Sequence, residues 1–152
     1  MDRAIIEALR ENARISNAAL AKRVGLTPGP CLRRVQKLEN DGVLLGYTAM
    51  VNPESLDQAF EVGVSIELKH GDKDSVQHFE DTVAGFDEIL ELYRLFGTPD
   101  YYARVAVTDL ASYEQFLTHK LLAIPGVNVA HSAFPMKIIK SPRPHPHKAS
   151  AG

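Results

Sequence analysis

The sequence predicts an α+β protein in two parts, three short helices with a small wing followed by a strand–helix–strand pattern repeated twice. Three observations carry this. Start and stop residues divide the first 42 positions into three helical segments. From Phe60 onward, alternating and helical apolar periods succeed one another in two halves of similar length. The charge changes sign between the parts: residues 1–52 hold eight Lys/Arg against five Asp/Glu, a balance of +3, and the rest hold nine against fourteen, a balance of −5.

The first helix, Asp2 to Asn12, places Ile5, Ile6 and Leu9 on one face. Ser16 is placed to cap the second helix, with Ile15 and Leu20 at the two positions of a hydrophobic staple. Gly25 stops that helix, and only Leu26 separates it from the next cap, Thr27. Pro28 suits the first turn of helix three because it has no N–H to leave unpaired. Leu26 and Cys31 repeat the staple, and Gly42 ends the helix. So short a junction forces a steep crossing, which is the geometry of a helix-turn-helix.

Within helix three, Cys31, Val35 and Leu38 recur at i, i+4 and i+7 and are expected in the core. That leaves Gly29, Pro30, Leu32, Arg33, Gln36 and Lys37 toward the open side. Arg and Gln side chains match the hydrogen-bonding edges of guanine and adenine in a major groove. Arg14, Arg34, Lys37 and the start of helix two at Ser16 and Asn17 suit phosphates. The expected DNA-contacting set is therefore Arg14, Ser16, Asn17, Thr27, Gly29, Pro30, Arg33, Arg34, Gln36 and Lys37, and the expected partner is double-stranded DNA. Val43 to Val51, β-branched and aromatic around Gly46, reads as a hairpin or wing. The first domain is expected over residues 1–52, with a linker over 53–59.

The second domain, residues 60–140, reads as strand Glu61 to Leu68, helix Asp74 to Val83 and strand Ile89 to Phe96. After the turn Gly97-Thr98-Pro99-Asp100 come strand Tyr101 to Val107, helix Leu110 to Leu122 and strand Val127 to Ile139. This βαββαβ order gives a ferredoxin-like sheet with both helices on one face. Nothing in the chain covers the other face, so a homodimer is expected. The tail over 141–152, rich in proline and small residues, is expected to be disordered, and its His145 and His147 to be no metal site.

No apolar run approaches the roughly 20 residues of a membrane span, and the amino terminus lacks a secretory pattern, so the cytoplasm and no membrane partner are expected. The single cysteine permits no intrachain disulfide. There is no phosphate-binding glycine loop, nucleophile elbow or His-Glu-x-x-His helix, which argues against an enzyme and against a cofactor or metal.

In order and spacing, several strings resemble the Lrp/AsnC family, the feast/famine regulators of bacteria and archaea. They are Gly25-Leu26-Thr27-Pro28-Gly29-Pro30-Cys31-Leu32, Arg34-Val35-x-x-Leu38-Glu39-x-x-Gly42, Gly46-Tyr47-Thr48-Ala49, Asn52-Pro53, Gly97-x-x-Asp100-Tyr101 and Leu122-x-x-x-Gly126-Val127. The resemblance implies a transcriptional regulator of amino-acid or related metabolism. It implies dimers formed through the ferredoxin-like domains, assembly to octamers, and a small-molecule effector, usually an amino acid, bound between dimers. The effector residues it implies are Gly97, Thr98, Pro99, Asp100, Tyr101 and, by position, Ser132. Turn N–H groups suit a carboxylate, and Asp100 suits an α-ammonium. Phe96, Pro99 and the Ala130-His131 pair depart from the family pattern at this end. The alternative is an enzyme similar to sirohaem decarboxylases, which share the two-part architecture. The basic, capped third helix favours the regulator.

Overall fold

The computed structural model describes residues 1–141, and the proline-rich tail and its two histidines lie outside them. The chain divides into two compact units, Met1–Ala49 and the residues from Met50 onward.

The first unit holds α1 (Asp2–Glu11), α2 (Asn17–Arg23) and α3 (Pro28–Asn40). Its core is Ile5, Ala8, Leu9, Leu20, Ala21, Cys31 and Leu38, closed by Ile6, Ile15, Val24, Leu26, Val35 and Leu44. All four staple residues, Ile15 with Leu20 and Leu26 with Cys31, are thus apolar contacts of one cluster. Gly25 takes φ +72°, and Gly25 and Leu26 donate backward to the carbonyls of Lys22 and Ala21. Gly42, at φ +70°, ends α3 in the same way, with Gly42 and Val43 donating to Glu39 and Leu38. Both endings are Schellman motifs, which satisfy carbonyls that a helix end leaves unpaired.

The expected wing does not form a strand. Residues 45–51 run without a ladder partner among the described residues, and Gly46 near their start stands at φ +151°. β-branched residues favour a pleated surface only where a second strand supplies the hydrogen bonds. The expected linker has local order: Pro53–Leu56 is a 3-10 turn capped by Asn52, whose Oδ1 accepts from Glu54 N–H.

The second unit contains β1 (Phe60–Leu68), α4 (Lys73–Ala84), β2 (Ile89–Arg94), β3 (Tyr101–Val107), α5 (Leu110–Phe116) and β4 (Val127–Ala133). The sheet order is β2-β3-β1-β4, antiparallel throughout, as a ferredoxin-like fold requires. Asp72 and Asp109 cap α4 and α5 by accepting from Ser75 and Ser112 N–H, and these bonds hold both carboxyls below the usual range. Val62, Val64, Ile66, Phe79, Val83, Tyr101, Ala103, Val105 and Phe116 lead the core on the helix face.

Three boundaries differ from expectation. β4 ends at Ala133 rather than Ile139, because Pro135 has no N–H to extend pairing with β1. β2 ends at Arg94, and the loop after it closes with Leu95 N–H donating to the Asp100 carbonyl. The last helix is α-helical only to Phe116; Leu117–Leu121 follows as a π turn, with Leu122 N–H reaching back to Leu117.

Phe79 is fully buried, with its ring centroid 4.7 Å from that of Tyr101. Phe79→Ala is expected to lower the unfolding free energy by about 3–5 kcal/mol, read as a shifted urea midpoint at constant slope.

Candidate nucleic-acid interface and ligand turn

The exposed side of α3 carries Arg33, Arg34, Gln36 and Lys37, while Cys31 and Leu38 are buried and Val35 packs against the core. Gly29 sits one turn before Arg33, and a Cβ there would stand 3.9 Å from Arg33 Nη1, so the guanidinium lies along an unobstructed first turn. Among the described residues, no hydrogen bond or ion pair engages the side chains of Arg14, Arg33 or Gln36. Arg34 and Lys37 are engaged: Arg34 Nη1 lies 2.6 Å from Asp2 Oδ1, and Lys37 Nζ bonds Asp41. The Asp41 hydrogen bond raises the Lys37 pKa, with its charge adding in the same direction.

The other expected contacts have local duties. Ser16 Oγ caps α2 by accepting from Ala19 N–H at 3.2 Å. Asn17 Nδ2 donates to the Pro28 carbonyl at 2.8 Å, so this amide ties the start of α2 to the start of α3. Thr27 is the N-cap of α3 by backbone geometry, but its side chain makes no capping bond. Pro30 is half-buried rather than open. Sequence reasoning missed the acids that hold Arg34 and Lys37. The i,i+4 spacing of Lys37 and Asp41 was readable, whereas Asp2 and Arg34 meet only after α1 packs on α3.

In the second unit, Gly97 (φ +115°) and Thr98 are exposed, Pro99 and Asp100 half-buried, and Tyr101 buried. Asp100 Oδ2 accepts from Leu68 N–H at 2.8 Å, fastening the β2–β3 loop to the end of β1. Its Oδ1 accepts no hydrogen bond among the described residues. Tyr101 Oη donates to Glu80 Oε1 at 2.8 Å, and Arg94 stands 3.8 Å from the same oxygen.

Ser132 does not join Asp100 within one chain. It pairs with Val64 on the far side of β1, and its hydroxyl shares a hydrogen bond with Tyr113 of α5. Asp100 lies beyond the Ile66–Tyr101 pair, two strands across and three residues along, on the order of 14 Å away. The alternation that puts Ser132 beside Val64 therefore turns it toward the helices.

A basic three-helix unit with an open third helix, joined to a ferredoxin-like unit with a polar turn, defines a DNA-binding regulator with a separate ligand domain. Residues 1–44 match the winged helix-turn-helix DNA-binding domain and residues 61–144 the Lrp/AsnC ligand binding domain. The leucine-responsive regulatory proteins of Escherichia coli K12 and Klebsiella pneumoniae are 41% identical over 140 residues, covering 92% of this chain and 85% of theirs. Among solved structures, a Neisseria meningitidis transcriptional regulator in complex with L-methionine superposes with a TM-score of 0.85 at 34% identity, covering 92% of this chain and 90% of that one. An AsnC family regulator of Agrobacterium tumefaciens superposes at 0.82 and 37%, covering 92% and 91%. The chain belongs to the Lrp/AsnC family of transcription regulators.

Burial, with the Glu80 bond behind it, pushes the Tyr101 hydroxyl up to about 12. Neutral Tyr101 thus favours the fold below its unfolded value near 10, and that contribution is lost as pH rises from there through about 12. Urea midpoints measured between pH 9 and 12 are expected to fall more steeply for the native chain than for Tyr101→Phe; parallel profiles would contradict this.

Proposed function

We propose that this regulator reads operator DNA with the exposed face of α3, and that an amino acid bound at the Gly97–Tyr101 turn modulates it. The observation carrying the first half is the unengaged Arg33–Gln36 pair on a helix fixed at both ends. Arg33 and Gln36 take base edges; Arg34, Lys37 and Arg14 take phosphates, and Thr27, Gly29 and Pro30 bring the backbone of α3 close to the groove. Ser16 and Asn17 act by setting the helix ends.

Support for the second half is the free Oδ1 of Asp100 beside a glycine turn, together with the leucine-responsive names of the relatives and the L-methionine held by the Neisseria protein. A homodimer forms through the uncovered sheet face, where Tyr93 and Tyr102 are exposed and Arg104 lies between Glu61 and Glu91. Gly63 seats the Tyr102 ring, since a Cβ there would meet Tyr102 Oη at 2.7 Å. Dimers assemble further, to octamers, and the effector sits between them with Ser132 of a neighbouring chain completing its surroundings.

Arg33→Ala is expected to relax base preference at one position, at a cost of about 1–3 kcal/mol for the preferred site. Lys37→Ala is expected to weaken binding to all duplexes and flatten the salt dependence by roughly one charge. Fluorescence anisotropy across a salt series reads both, and unchanged binding in both variants would sink the placement of α3. For the effector, thermal shift with leucine, methionine and the other amino acids identifies the ligand. Asp100→Asn keeps the acceptor for Leu68 N–H, so it is expected to fold while losing roughly tenfold in effector affinity. A native response in that variant would place the effector elsewhere.

A further inference from the structure

Two of the three basic side chains on the exposed side of α3 are held by acids, and neither pair is accounted for by stability. Lys37 and Asp41 are spaced i,i+4 with the base first, the weaker orientation on a helix. Asp41 is the C-cap of α3, where the negative end of the helix dipole disfavours a carboxylate. Asp2 sits favourably in the first turn of α1, but its partner Arg34 is about half exposed, and exposed pairs stabilise a fold little. The nearby Glu39, two residues along the helix from Lys37, does not face it and accepts from Tyr47 Oη instead. Arg33, the base without such a partner, is the one placed to read sequence.

We infer that Asp2 and Asp41 are internal competitors for DNA phosphate: they hold Arg34 and Lys37 in ion pairs that the duplex must displace, and so set affinity without setting sequence preference. The inference rests on the reading of α3 as the DNA-contacting helix. When Lys37 exchanges Asp41 for a phosphate, DNA releases a counterion, but the pair with Asp41 is lost and its carboxylate stays beside the duplex. That cost is largest at low salt, where charges are least screened, so it offsets part of the salt dependence that Lys37 supplies. Neutralising the acid removes the offset and steepens log affinity against log salt by a fraction of the roughly 0.9 of a full phosphate contact.

The test uses the full-length chain, a 30-base-pair duplex of random sequence, and an operator selected by the protein from a random pool. Asp41→Asn is expected to bind both duplexes two- to five-fold more tightly in about 0.05 M salt, with a steeper salt slope and an unchanged ratio between them. Asp2→Asn is expected to behave likewise through Arg34. In a Lys37→Ala background, Asp41→Asn is expected to tighten binding by less than about 1.5-fold, because the partner it frees is gone. Unchanged affinity in Asp41→Asn overturns the inference. So does equal tightening in the Lys37→Ala background, which marks a long-range charge effect instead. If Lys37→Ala and Arg33→Ala themselves leave binding unchanged, the placement of α3 fails first, and that result is distinct from the other two.

Discussion

The connection from Gly25 to Thr27 fixes what α3 presents to solvent. Gly25 turns the chain through a left-handed conformation, and Leu26 bonds back to α2 while packing its side chain against the core. Asn17 then reaches from the first residue of α2 to the Pro28 carbonyl at the first residue of α3. The two helices are joined by backbone, apolar and amide contacts within a few residues, so α3 has little freedom to rotate. Its core-facing stripe of Cys31, Val35 and Leu38 follows from that constraint, and so does the direction of Arg33 and Gln36.

The second unit obeys a different constraint, the pleat of the sheet. Alternation sends Val62, Val64 and Ile66 to the helices and leaves Tyr102, Arg104, Glu61 and Gly63 on the opposite face. Arg104 there is only 13% exposed and bonds both Glu61 and Glu91, so the open face has an ordered polar centre with aromatic surroundings. At the end of the same strands, Asp100 ties the β2–β3 loop to β1 with one oxygen and leaves the other available. A ligand contacting that oxygen touches a residue already tied to the central strand.

Much of this architecture was legible from residue types. Gly25 and Gly42 announced the helix ends, Ser16 its cap, and the alternation from Glu61 to Leu68 the central strand. These signals are local, acting through backbone conformations that only certain residues favour. What residue types did not reveal are contacts with partners distant in sequence. Asn17 donates to the Pro28 carbonyl, a contact that no local signal announces. Ser132, by its register against Val64, shares a hydrogen bond with Tyr113 of α5. The wing residues have strand-like character and find no strand to pair with among the described residues, and Pro135 stops β4 where hydrophobicity alone would continue it. The ion pair of Asp2 with Arg34 spans 32 positions and has no signature in the sequence.

The most direct test of α3 as the reading helix is interference by guanine N7 methylation, which blocks the major-groove edge that an Arg recognises. With an operator selected by the full-length protein, methylation of a guanine in each half-site should abolish binding, and Arg33→Ala should erase the interference at that guanine alone. Binding that ignores N7 methylation but is displaced by a minor-groove ligand would contradict the account.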